Sequence, residues 1–271
     1  MVWSCILAAI PSSLFAVDGV VLIDQNHALA GNITPGDTPG FPVTISQSGS
    51  YRLSGNLIVP DLNTTAIHIT ADNVTLDLNG FSITGPAVCT GTPTRCPALG
   101  TGIGLQAGAD QTVGPRAVRV LNGSIRGMGG AGILMTGDGS FIQRVNADSN
   151  VGGGIIAAGT VTESAATHNG IFGIFAITVR DSTALQNVGD GIILDGSGGV
   201  GTGNISSSNG ARGMFVPNGT ATGNTLNLNR GLGLATTCPS VIIGNTIVAN
   251  AGGTIETNLA DCVISNNAVR P

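Results

Sequence analysis

The chain contains no lysine, and its ten basic residues are all arginines. Charged residues of both signs account for only 9% of the 271 residues, and aromatic residues for only 3%. The net charge is −5, and the arginines are scattered along the sequence. A nucleic-acid-binding protein is therefore not expected, because neutralising backbone phosphates requires clustered positive side chains.

Glycine and small aliphatic residues dominate the composition instead. Glycine contributes 43 residues, and the 42% hydrophobic content is almost entirely Val, Ile, Leu and Ala. This apolar content is too high for a disordered chain, and the glycines lack the every-third-residue period of collagen. Gly, Asn, Thr and β-branched residues are poor helix formers, so a helical bundle is not expected either.

The N-terminal residues have the composition of an export signal. Residues 2–16 form an apolar stretch that ends in small residues, although no positive charge precedes it. These fifteen residues are too few to span a bilayer, so we expect a cleaved signal at residues 1–16 and no transmembrane segment. The alternative, lipidation at Cys5, lacks the apolar region that should precede the cysteine. We therefore expect a secreted, periplasmic or cell-surface protein.

Removal of residues 1–16 would leave four cysteines, an even number that suits an oxidising compartment. We expect a disulfide bond between Cys89 and Cys96 that pins residues 86–100, rich in Pro, Thr and Gly, as a side loop. A second bond between Cys238 and Cys262 would join neighbouring repeats. A zinc site is the alternative, but neither pair has Cys-x-x-Cys spacing and no histidine is close in sequence.

An internal repeat of about twenty residues is the strongest signal in the sequence. Glycine followed by an apolar residue recurs at positions 132, 154, 173, 191, 213 and 233. Asparagine recurs in the same phase, at Asn150, Asn169, Asn187, Asn209, Asn229 and Asn250. A second series lies five positions earlier, at Asn204, Asn224, Asn245 and, one turn on, Asn266. Each unit therefore consists of short apolar strands joined by glycine and asparagine turns.

Units of this size have no core of their own, so they must stack strand on strand at a spacing of about 4.8 Å. Equal-phase residues then form ladders, in which buried asparagines bond to one another and aliphatic residues such as Ile142, Val161 and Val179 fill the interior. The repeat thus predicts a solenoid of about ten coils at residues 43–271, preceded by an N-terminal cap at residues 17–42.

The coil pattern continues to Pro271 with no cap after it. An open end of a stacked sheet exposes unpaired backbone groups and an apolar cross-section. We therefore expect this end to dock against a second copy of the chain, a further domain or another surface, and self-association with a second copy is the favoured version.

Residues 71–80, Ala-Asp-Asn-Val-Thr-Leu-Asp-Leu-Asn-Gly, followed by the asparagine and Gly-Ile coils, resemble the right-handed parallel β-helix superfamily. Pectate lyases, polygalacturonases, phage tailspikes and periplasmic proteins that help metalloenzymes mature belong to it. The resemblance implies an all-β, single-stranded right-handed parallel β-helix with Asn and aliphatic ladders. It implies no catalytic residue, because the Asn-Thr-Asp, Asp-Asp, Gly-His-Gly and Arg-x-Lys motifs of polygalacturonases are absent, as is the Asp-Pro-His motif of uronate epimerases.

One group of charged residues nevertheless agrees in phase. Counting back six from the ladder asparagines puts Arg144, Glu163 and Asp181 on three consecutive coils, and Arg180 precedes the last of them. Two carboxylates about 5 Å apart suit a retaining glycosidase, with one as nucleophile and the other as acid and base. The alternative, which the sequence favours, is a solvent-facing charge ladder in which Arg144 and Arg180 neutralise the two acids.

His168 is a further candidate, as a general base supported by Asp148 one coil earlier, although no nucleophile is evident. We predict no cofactor and no metal site. A long surface along stacked coils suits a linear polymer, so the expected function is binding, with cleavage as an added activity, of a polysaccharide or cell-surface glycan. With only Trp3 and Tyr51 as better sugar-stacking residues, a non-catalytic structural or adhesive surface protein and an accessory periplasmic factor remain as alternatives.

Overall fold

The computed structural model describes residues 19–97, 100–108, 113–196, 198–257 and 261–270. The predicted signal at residues 1–16 lies outside these ranges. The described residues contain one helix, α1 (Gln25–Ala30). The strands of the N-terminal half are β1 (Val20–Ile23), β2 (Val43–Ile45), β3 (Gly49–Leu53), β4 (Leu57–Ile58), β5 (Ile67–Ile69), β6 (Val74–Asp77), β7 (Ser82–Thr84), β8 (Leu105–Ala107), β9 (Arg119–Arg126) and β10 (Ile133–Asp148).

The strands of the C-terminal half are β11 (Ile155–Thr162), β12 (Ala165–Thr167), β13 (Ile174–Arg180), β14 (Thr183–Leu185), β15 (Ile192–Leu194), β16 (Val200–Thr202), β17 (Ile205–Ser207), β18 (Met214–Pro217), β19 (Thr220–Thr222), β20 (Thr225–Asn227), β21 (Leu234–Thr237), β22 (Val241–Ile243), β23 (Thr246–Val248), β24 (Ile255–Thr257), β25 (Val263–Ser265) and β26 (Ala268–Arg270). From β14 onward, these strands are three or four residues long and recur three to a coil, in keeping with the even spacing of the repeat.

The chain forms a parallel β-helix of about ten coils, as the repeat predicts. Each coil contributes to three faces, which we define on one coil: β15 lies in face 1, β16 in face 2 and β17 in face 3. On some coils one longer strand, such as β10, runs through more than one face. Strands β15, β16 and β17 each pair in parallel with the equivalent strand one coil later, namely β18, β19 and β20. Every face is thus a sheet that runs along the axis of the helix.

Alternate side chains of each strand point into a narrow aliphatic core. The predicted ladder is confirmed, since Ile142 is in register with Val161 and Val161 with Val179. All three side chains are fully buried. Because every coil buries only a few small side chains, stability depends on stacking between coils rather than on any single coil.

The first asparagine ladder is confirmed along its whole predicted length. Asn150 donates from its backbone N–H and from Nδ2 to Oδ1 of Asn169, at 3.1 and 3.0 Å, and each later member repeats this pattern to Asn250. Met128 occupies the same position one coil earlier, and its N–H donates to Oδ1 of Asn150.

The second ladder requires a correction at its C-terminal end. Asn204, Asn224 and Asn245 are members, but the next member is Asn267 rather than Asn266. Asn267 lies 22 residues after Asn245, one more than the preceding spacing of 21, so a constant count selects the wrong residue. Asn266 instead adopts the left-handed turn conformation, with φ of 54°.

The repeated glycines have a different role from the one expected. The sequence places them at turns, where glycine commonly provides positive φ, but the six repeat glycines at 132 to 233 do not have positive φ. A Cβ on Gly191 would lie 2.6 Å from Nδ2 of Asn209 and 2.8 Å from the carbonyl oxygen of Gly213. Glycine is therefore required because the asparagine ladder occupies the space of a side chain.

Residues 17–42, predicted as an N-terminal cap, contain β1 and α1. β1 pairs in parallel with β3 of the first coil. The side chain of Asp24 begins α1 by accepting a hydrogen bond from the N–H of His27 at 2.9 Å, a common N-terminal arrangement that satisfies a free helix donor. That residues 17–42 cap the N-terminal end of the solenoid stays a prediction.

Both predicted disulfide bonds are present, Cys89–Cys96 and Cys238–Cys262. Cys238 precedes β22 and Cys262 precedes β25, which are paired strands on neighbouring coils. The bond therefore joins the last two coils. The inward side chains of the last coil, Ile264 and Val269, are still 38% and 45% exposed.

We expect the double variant Cys238→Ser/Cys262→Ser to lose about 2–4 kcal/mol of local stability in the last coil, because the cross-link no longer limits the opened chain. Amide hydrogen exchange in β25 and β26 measures this loss. The matched control, Cys89→Ser/Cys96→Ser, should leave exchange in these strands unchanged. Equal exchange in the wild type and the first variant would contradict the expectation.

Candidate functional site

From the second coil onward, the chain turns from face 2 to face 3 at a residue with left-handed backbone conformation. Arg144, Glu163 and Asp181 occupy this corner on three successive coils, with φ of 54°, 50° and 47°. The next coils use glycine there, namely Gly203, Gly223 and Gly244. Because a Cβ disfavours this conformation, the three charged side chains are held at a cost in stability that glycine avoids.

The strand register makes the three corner residues stacked neighbours. Gln143 is in register with Thr162, and Thr162 with Arg180, immediately before each corner. The N–H of Glu163 donates to the carbonyl oxygen of Arg180 at 3.1 Å. Equivalent backbone positions on adjacent coils are about 4.8 Å apart, so the side chains of Glu163 and Asp181 start from one strand spacing.

A shallow groove of about 450 Å³ opens on the face-3 side of this corner. The three charged corner residues form one wall. The outward residues Asn146, Ala165 and Thr183, which are in register on consecutive strands, line it from face 3. The groove therefore runs across three coils, parallel to the axis of the helix. We call it the corner groove.

The carboxylates in the corner groove are not neutralised by the arginines. Oε1 of Glu163 accepts a hydrogen bond from Nε2 of Gln143 at 3.0 Å, and Nε of Arg144 donates to Oδ1 of Asn122 at 2.8 Å. Among the described residues, Arg144 and Arg180 form no ion pair with Glu163 or Asp181. The charged residues therefore stack in one phase, as both interpretations of the sequence require, but the described side chains form no ion pair along the stack.

His168 lies on the opposite edge of face 3, at the corner that precedes the first asparagine ladder. Its Nδ1 is 3.2 Å from Oδ1 of Asp148, the partner that the sequence indicated. The same oxygen accepts a hydrogen bond from Oγ1 of Thr167, and Oγ of Ser149 donates to Oδ2 at 3.0 Å. A carboxylate at Nδ1 can orient an imidazole and leave Nε2 free as a base.

The candidate residues thus form two clusters on one face. Glu163, Asp181, Arg144 and Arg180 lie at one corner of face 3, and His168 lies at the other, five residues along the same coil from Glu163. The phase of the repeat therefore brings the first four residues to one corner, but Arg180 and His168 do not line the corner groove.

Sequence reasoning missed Asn122 and Gln143 as partners of the corner residues. Asn122 lies six residues before Met128, so it has the same phase as Arg144. That phase was hidden because Met128, and not an asparagine, occupies the ladder position of its coil. Gln143 could have been found as the outward residue directly before the corner.

No cluster of three or more His, Cys, Asp or Glu side chains in the described ranges has an arrangement that could hold a metal ion. Within the same ranges, no helix has the length and apolar character needed to cross a membrane.

No protein-family model matches the chain, and no curated protein matches it in sequence. Solved structures match it over most of its length. A double mutant of the periplasmic alginate epimerase AlgG superposes with a TM-score of 0.56 at 13% identity, covering 94% of this chain and 84% of the epimerase. What is shared is the fold. The A-module of the Azotobacter vinelandii mannuronan C-5 epimerase AlgE4 gives 0.50 at 16% identity, over 76% of this chain and 70% of the module.

Proposed function

We propose that the protein is exported and binds a linear polysaccharide in the corner groove. The observation that carries the proposal is the groove itself, in which unneutralised carboxylates on adjacent coils lie beside the amide of Asn146 and the hydroxyl of Thr183. Carboxylate, amide and hydroxyl groups are suitable hydrogen-bond partners for sugar hydroxyls. Their repetition along the axis suits a ligand that repeats as well.

Two further observations support this proposal. The two disulfide bonds suit an oxidising compartment outside the cytosol. The structures of similar fold include a periplasmic alginate epimerase and a mannuronan epimerase, whose names state that they act on polysaccharides. The fold is thus one on which polysaccharide chemistry occurs, although fold alone does not define an activity.

A non-catalytic adhesive or structural role is the second candidate, and face 1 favours it. Its outward residues on five successive coils are apolar and in register: Leu134, Ile156, Phe175, Ile193 and Phe215. All five are partly exposed. Such a stripe could contact another protein surface. Self-association through the last coil remains a prediction.

We expect Ala165→Trp to weaken polysaccharide binding by at least about tenfold, because the indole would fill the corner groove between Asn146 and Thr183. Affinity electrophoresis on a panel of acidic and neutral polysaccharides measures the retardation of the wild type and then of the variant. The matched control is Thr220→Trp, which adds the same side chain on face 2, outside the corner groove, and should leave the retardation unchanged.

Equal retardation of the Ala165→Trp variant and the wild type would contradict binding in the corner groove. If the wild type is retarded by no polysaccharide in the panel, polysaccharide binding is wrong and the adhesive role is favoured. Circular dichroism of both variants checks that the added indole has not unfolded the coil.

A further inference from the structure

The side loop forms a second groove on the outside of the β-helix, away from the corner groove. It has a volume of about 410 Å³ and lies between loop residues 92–95 and the turns of three coils. The coil residues that line it include Gln186, Ser208 and Leu228, the left-handed corner residues before the first asparagine ladder. We call this space the loop groove.

Two arginines face the loop groove from opposite sides. Arg95 belongs to the loop and Arg230 to a turn of the solenoid. Within the described residues neither guanidinium group has an ion-pair partner, and no Asp or Glu lines the groove. In a chain with net charge −5, two unpaired arginines in a groove without a carboxylate make a local positive site.

The same groove has apolar surface. The side chains of Val188 and Leu228 line it and are 42% and 58% exposed. Pro93 contributes apolar surface from the loop. A ligand that combines an anionic group with a flat C–H face would therefore satisfy both the arginines and these side chains.

The backbone of Arg95 is held in place by contacts of the loop. The neighbouring Thr94 is buried, and its Oγ1 donates to the carbonyl oxygen of Gln186 at 2.6 Å. Arg95 also exchanges backbone hydrogen bonds with Thr90, at 2.9 and 2.8 Å. The disulfide bond to Cys89 begins at the next residue, Cys96. Preorganisation of this kind reduces the entropy cost of binding.

The disulfide bond also packs the loop onto the solenoid. Sγ of Cys89 lies 3.4 Å from the carbonyl oxygen of Ser149, and Sγ of Cys96 lies 3.9 Å from that of His168. The loop therefore follows the same corner over three coils, from Ser149 to Gln186, and the loop groove opens where the loop ends.

We propose that the loop groove binds a carboxylate-bearing sugar, with Arg95 and Arg230 as the ligands of the carboxylate and Val188 and Leu228 against the sugar ring. A planar guanidinium group can form two parallel hydrogen bonds to a carboxylate, which favours uronate over neutral sugars. This inference deepens the proposed function, since it rests on polysaccharide binding and adds a subsite for an acidic sugar that is separate from the corner groove.

The test uses a galacturonic acid tetrasaccharide as the probe and cellotetraose as the neutral probe of equal length. Isothermal titration calorimetry with the full chain should detect binding of the acidic probe alone. We expect Arg95→Ala and Arg230→Ala each to raise its Kd by about five- to tenfold, because each removes a charge-assisted hydrogen bond at a solvent-exposed site. The matched control Arg116→Ala removes an arginine that is 66% exposed on another loop, and it should leave the Kd unchanged.

Four results would overturn the inference: no binding of the acidic probe, equal binding of both probes, an unchanged Kd in both arginine variants, or an equal effect of Arg116→Ala. These outcomes are separate from a failure of the corner groove. If Ala165→Trp abolishes polymer binding while the two arginine variants bind normally, the corner groove stands and the loop groove does not. If the two arginine variants lose the acidic probe while Ala165→Trp binds the polymer normally, the loop groove stands and the corner groove does not.

Discussion

Replacement of Asn209 by alanine is expected to lower the free energy of unfolding by about 3 kcal/mol or more, because it leaves several buried polar groups without partners. Oδ1 of Asn209 accepts from the N–H and Nδ2 of Asn187, at 3.0 and 2.9 Å. Its Nδ2 donates to Ala184, Ser206 and Asn229. Chemical denaturation followed by circular dichroism measures the loss, and hydrogen exchange in neighbouring coils shows whether it is local.

Asn146→Ala is the matched control for this variant. Asn146 is exposed on face 3, and its side chain has no hydrogen-bond partner among the described residues. Its removal should change the stability by less than about 0.5 kcal/mol. If the two variants unfold at the same denaturant concentration, the ladder does not stabilise the solenoid in the way that its hydrogen bonds indicate.

The ladders are also the part of the fold that the sequence predicts best. Each buried asparagine must bond to the asparagine of the next coil, so it has to occupy the same position in every repeat. The series from Asn150 to Asn250 is therefore visible in the sequence. The prediction is wrong at Asn266 because the last spacing is longer by one residue. It also misses Ser164 and Ser182, which continue the second ladder with hydroxyl groups, Ser182 accepting from the N–H of Ser164 at 3.2 Å.

The surroundings of the sites are less predictable, for two physical reasons. Phase fixes the backbone positions of Glu163 and Asp181, but it does not determine which partner an exposed side chain chooses. The phase places Gln143 directly before the corner, but it does not predict that Glu163 bonds to this side chain rather than to an arginine. The side loop is pinned by Cys89 and Cys96 as predicted, but its docking on Gln186, 92 residues beyond Thr94, follows from contacts outside the repeat pattern.

Glu163→Gln and Asp181→Asn should each reduce any glycan cleavage by the wild type by about 10²–10⁴-fold, the contribution usual for a general acid or base. The two residues start from adjacent coils at one strand spacing, and a retaining glycosidase places its two carboxyl groups about 5–5.5 Å apart. Because no arginine pairs with either group, both remain available to a sugar in the corner groove. Release of reducing ends from a panel of glycans measures the rate.

The control for this loss is Asp138→Asn, which removes a carboxylate that is 79% exposed and does not line the corner groove. Both site variants preserve the size of the side chain, so folding should be unchanged and the binding measured by affinity electrophoresis should fall much less than the rate. A rate that falls with binding kept intact separates a chemical role from a binding role. Cleavage at the wild-type rate by both variants, or no cleavage of any glycan by the wild type, would contradict a catalytic role of the pair.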